Sequence, residues 1–133
     1  MRWYHRERQP EVWEVVDDQP LGDIGAAHKI RDICVSAGSI AERLAAAGGR
    51  DAEKQQAADA ERYQAAIKRA IEIAMQISDD SMRDVSVSQI IKLCVQVDHL
   101  KTARVLLRAM QSEKTRADLV ADHPKLIDQD AAN

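Results

Sequence analysis

The chain has 133 residues, a formal net charge of −3, 45% hydrophobic and 3% aromatic residues, and no phenylalanine. That length allows one domain with a real core and is too short for two. The sequence pI near 5.8 gives no global case for nucleic acid or an anionic membrane, and no run approaches the roughly 20 apolar residues of a membrane span.

A core without phenylalanine must be built from Ala, Ile, Leu, Val and Met, and the charged residues are mostly Glu, Lys and Arg. These are helix-favouring types, so an all-α fold is expected. The N-terminus, Met-Arg-Trp-Tyr-His-Arg-Glu-Arg, lacks the apolar segment of a secretory signal. Cys34 and Cys94 fall within apolar helical patterns, as buried thiols in a reducing compartment do. A cytoplasmic location is the expectation.

Residues 1–22 hold Trp3, Tyr4 and Trp13 with Pro10 and Pro20. They read as an extended arm, since a lone strand would have no partner. From Glu11 to Asp23 the arm carries Glu11, Glu14, Asp17, Asp18 and Asp23 with no basic residue. Asp23 is a candidate N-cap for a first helix over about 23–47, where Ala26, Ile30, Ile33, Ala37, Ile40, Leu44 and Ala47 alternate by four and three. Gly38 interrupts this helix and Ser39–Glu42 has capping-box form, but the heptad phase survives, which favours a continuous or slightly kinked helix. Gly48-Gly49 fits a left-handed C-terminal cap. Asp51 can then cap a second helix over about 51–78, with Ala60, Tyr63, Ile67, Ala70, Ala74 and Ile77 on one face.

After Ser88, Ile90, Leu93, Val97, Leu100, Ala103, Leu107 and Met110 recur at spacings of three and four. Ile91, Cys94, Val95, Val105, Leu106 and Ala109 widen that face. The spacing predicts a third helix over about 86–121, apolar around most of its circumference, as the centre of a three-long-helix bundle domain over 23–123 with a flexible tail at 124–133. Two alanine-rich partners cannot easily cover both apolar rows, so a homo-oligomer, most simply a dimer, is expected.

His28 and Asp32 are one turn apart but supply only two ligands, and the Glu-x-x-His pattern of di-iron bundles is absent; no metal or cofactor is predicted. A helix-turn-helix can be read over Ile30–Leu44 with Gly38 at the turn, but Gly38-Ser39 is short for that turn, and a helix kink is the better reading. No serine or cysteine is spaced with a histidine as nucleophilic catalysis requires, so the expectation is not an enzyme. Lys101, Arg104 and Arg108 step by three and four into one basic ridge. It could track phosphates; docking of the acidic arm is the preferred reading. Trp3, Tyr4 and Trp13 suit an interface with a partner or packing onto the bundle itself.

His99-Leu100-Lys101-Thr102-Ala103 is similar to the His-x-Leu-Lys-Gly-Ala run of histidine phosphotransfer domains, which are helical bundles of about this length. The similarity implies a phosphorelay module at His99. It departs from the family where Lys101 follows the histidine by two residues rather than three, some 200° around a helix, and where Ala103 falls on the core face. The reading that results is a non-enzymatic helical interaction or regulatory module that self-associates and binds a protein partner. A small nucleic-acid-binding regulator using the ridge is the alternative, and phosphorelay comes third.

Overall fold

The computed structural model describes residues 10–15, 21–47 and 52–127. They form five α-helices, α1 (Gly22–Ala47), α2 (Ala52–Ala74), α3 (Asp80–Gln96), α4 (Leu100–Ala109) and α5 (Glu113–Asp122), with single 3₁₀ turns at Val12–Glu14 and Pro124–Leu126. The all-α class stands. The bundle of three long helices does not, because the stretch expected as one helix over 86–121 is divided among α3, α4 and α5.

The first two helices follow their apolar spacing closely. In α1 the stripe Ala26, Ile30, Ile33, Ala37 and Ile40 is buried, and the helix passes Gly38 without a break. The Gly38 carbonyl accepts a hydrogen bond from Gln96 Nε2 at 3.0 Å, and a Cβ at this position would sit 3.0 Å from Gln96 Oε1. The glycine therefore permits close approach of α3 rather than making a turn, so the helix-turn-helix reading has no turn to use. In α2, Tyr63, Ile67, Ala70, Ile73 and Ala74 are buried. Gly48, Gly49 and Asp51, expected at the α1–α2 junction, lie outside the described residues.

Asp23 does not cap α1, which starts one residue earlier. Its carboxylate instead accepts from the backbone N–H of Ser78 at 2.9 Å, that of Asp79 at 3.0 Å, and the Ser78 hydroxyl. Asp79 in turn caps α3 by accepting from the Met82 N–H at 2.8 Å. The Asp23 contact joins the start of α1 to the start of α3, and the Gly38–Gln96 contact joins α1 to the end of α3. The two helices consequently run parallel, with α2 antiparallel and packed on both. Ile30, Ile33, Ile73, Ile90 and Ile91 are fully buried where the three meet.

The expected third rod ends at Asp98, whose φ of +65° lies in the left-handed region. The His99 N–H donates to Cys94 O at 2.7 Å and the Asp98 N–H to Val95 O at 3.3 Å. That pair of bonds is the Schellman pattern, with aspartate where glycine is usual. A second interruption at Met110–Ser112 is held from α3: the Asp84 carboxylate accepts from Gln111 N and, at 2.7 Å, from Ser112 N. Ser112 then caps α5 through the Thr115 N–H at 3.1 Å.

Placing a non-glycine residue in the left-handed region costs roughly 1–2 kcal/mol, least for Asn and Asp. Folding α4 back buries Ala103, Leu106 and Met110, and a large apolar side chain contributes about 1.5–3 kcal/mol when fully buried. The reversal is favoured. It also lets members of both apolar rows beyond Ser88, Ile90, Leu93 and Met110 of one and Ile91, Cys94 and Leu106 of the other, be buried within a single copy, while Val105 of the second row stays exposed. At the C-terminal end Leu126 is buried within the Pro124–Leu126 turn, so packed chain extends past His123.

Candidate docking face

The residues singled out in the sequence are scattered over the fold. Trp13 is only 5% exposed and joins the core at the α1/α2 side, where its 3₁₀ turn packs. Trp3 and Tyr4 lie outside the described residues. Glu11, beside Trp13, pairs with Arg62 on α2, and Arg62 also reaches the buried Asp59 at 3.0 Å. Burial works against the Arg62 charge, but these two carboxylates more than offset it and hold its pKa above the ordinary value. Tyr63 beside them is raised, by desolvation first and the Asp59 charge second.

Lys101 and Arg108 are exposed on α4, as the ridge requires. Arg104 turns aside: its guanidinium donates to Lys125 O at 2.9 Å, tying α4 to the C-terminal turn. Of the acidic groups meant to cover the ridge, Glu11 is engaged by Arg62, Glu14 accepts from the Glu11 N–H and Asp23 from Ser78; Asp17 and Asp18 lie outside the described residues. His99 is half-buried at the junction preceding α4 and is not on a helical surface. His28 and Asp32 are both exposed. Among the described residues no three His, Cys, Asp or Glu side chains are grouped as a metal ion would need, and no helix is long and apolar enough to cross a membrane.

A feature not read from the sequence is the open side of the parallel pair α1 and α3. α2 packs on the buried side of this pair, and no described helix lies over the other. Ile24 and Val35, eleven residues apart and hence on one stripe of α1, are 66% and 61% exposed; Val85 on α3 is 59% exposed. Between the helices runs an open groove of about 270 Å³ with Cys34 and Leu93 in its floor, Val35 and Gln89 on its walls, and Arg31 and Lys92 at its rims. Burial pushes the Cys34 thiol up to about 12, which keeps it neutral and the floor uncharged. Arg31 and Lys92 are exposed, and neither has a carboxylate partner among the described residues.

A second, larger and more open groove of about 600 Å³ between α4 and α5, lined by Leu107, Ala117 and Val120, has its own charges in mutual contact, with Arg116 and Glu113 3.9 Å apart. The amphipathic stripe of α1 was legible in the sequence. That α1 and α3 run parallel and leave one side open depends on tertiary contacts such as Asp23 to Ser78, which no spacing announces. Compared with models of protein families, with curated proteins and with solved structures, the chain matches none.

Proposed function

We infer that this chain is a non-enzymatic interaction module that binds a protein partner on the open face of α1 and α3. The observation that carries this reading is an apolar-floored groove with the exposed Val35 on its wall, extended by the exposed Ile24 on the same stripe of α1 and by the exposed Val85, four and seven residues before Gln89 and Lys92, on the facing stripe of α3. Single exposed apolar residues need no explanation, but several on one face mark interaction surfaces. Self-association at the same face is disfavoured by charge. An isologous dimer presses one patch against its own copy, and this patch carries Arg31 and Lys92 with no acidic lining residue.

A photo-crosslinking residue at Val35, in the cells that make the protein, is expected to give a discrete protein adduct. The same residue at Lys68, exposed on α2, serves as control. No adduct at Val35, or equal adducts at both positions, contradicts the reading.

Polyanion binding at the ridge is the second reading, favoured by the exposed Lys101 and Arg108 having no carboxylate partner among the described residues. It predicts salt-sensitive heparin retention that Lys101→Glu with Arg108→Glu abolishes.

A further inference from the structure

Building on the docking face above, we propose that the groove between α1 and α3 takes an acidic amphipathic helix of another protein. The face is two parallel helices whose far side is already filled by α2. A helix laid into the open side would complete a four-helix arrangement, with its apolar stripe on Val35 and Leu93 in the helix-in-groove manner. The rims then choose the charge. Arg31 stands on one helix and Lys92 on the other, both exposed and both without a carboxylate partner among the described residues, and no acidic side chain lines the groove. A segment with Asp or Glu flanking its apolar positions pairs with both rims, and a basic segment meets repulsion at both.

The protein's own acidic turn is committed elsewhere, with Trp13 buried and Glu11 on Arg62 at the α1/α2 side. Two cations in one groove are a sparse footprint for a nucleic-acid strand, for which the α4 ridge is the better surface.

The test is selection of helical peptides from a random display library on the full chain, followed by affinity measurements at two salt concentrations. The expected winners carry apolar residues at i, i+3, i+4 and i+7 flanked by Asp and Glu, and they lose binding to Val35→Asp. Their affinity falls by about tenfold or more in Arg31→Glu with Lys92→Glu, equivalent to the loss of a single close charge pair. It recovers when the peptide's acids are exchanged for lysines, and it is unchanged in Lys101→Glu with Arg108→Glu. Because Arg31, Val35 and Lys92 are exposed, these variants keep their helical circular dichroism.

Winners that depend on Val35 but carry no acids, or that ignore the rim reversal, overturn the acidic assignment and leave the docking face standing. Winners indifferent to Val35→Asp, or the absence of any, overturn both. A concentration-dependent mass increase abolished by Val35→Asp would mean that a second copy occupies the groove and would overturn the acidic assignment.

Discussion

The α1–α3 trio and the α4–α5 pair are held by different means. The trio closes on interlocked isoleucines, Ile30, Ile33, Ile73, Ile90 and Ile91, all fully buried. The C-terminal pair buries fewer large side chains, Leu106, Met110 and Leu119, and is fixed as much by polar ties: Asp84 to the α4–α5 junction and Arg104 to Lys125 O. Apolar packing fills the interior of the first region, whose helix direction is tied by Asp23 to Ser78 and Gln96 to Gly38, whereas backbone capping from α3 sets the position of the second. An apolar run long enough to be one rod was folded onto itself by residues whose side chains or conformation satisfy freed backbone groups.

The contrast breaks most readily in the trio. Ile90→Ala leaves a cavity among fully buried neighbours and is expected to cost about 3–5 kcal/mol, whereas Leu106→Ala should fall near the lower end of the 2–5 kcal/mol range for such truncations. Amide exchange separates them further: the first variant exposes all five helices, and the second loosens residues 100–127 while α1–α3 stay protected. Equal, global loosening in both would erase the distinction.

High pH attacks the trio as well. Cys34 and Cys94 are both pushed up to about 12 by burial, with a smaller contribution from Cys34 at Cys94. Their folded values stand above an unfolded thiol near 8.5, so the stability they provide is intact below that value and lost as pH rises toward about 12, at order 1 kcal/mol per unit. Chemical denaturation at pH 7 and 10 should show this decline, and Cys34→Ala with Cys94→Ala should flatten it.

Asp84→Ala strikes the second region alone. It strips the acceptor from the Gln111 and Ser112 N–H groups while Asp84 itself is only 6% exposed. A loss of about 1.5–3 kcal/mol follows for hydrogen bonds to a charged acceptor, with raised exchange at 110–116. The smallest effect is at the hinge: Asp98→Gly relieves a left-handed residue and should stabilise by about 0.5–1 kcal/mol, whereas Asp98→Val should destabilise, measured by thermal melting.

The periodicity of α1 and α2 needed only spacing, and both helices lie within a few residues of their expected bounds. The division of the third was hidden because its hinge uses aspartate where a left-handed cap usually shows glycine, and because Val97 and Leu100 carry the apolar rhythm across it. Val97-Asp98-His99 did hold a signal: Asp and His are among the residues most tolerant of positive φ. Asp84 gave none, since a single aspartate past the first turn of a helix does not announce a tether reaching 27 residues ahead. The ridge residues Lys101 and Arg108 were legible as an exposed basic stripe. Arg31, Val35 and Lys92 were not legible as one face, because their adjacency arises from two helices packed in parallel.

Spin labels at Val85 and Gln111, in a Cys34→Ala, Cys94→Ala background, measure the fold-back directly. An unbroken helix would separate these positions by 26 residues, about 39 Å at 1.5 Å per residue. With the neighbouring Asp84 carboxylate on the Gln111 N–H, the expected separation is well under half that value, whereas a distribution centred near 39 Å would contradict the reversal at Asp98 and restore the single rod.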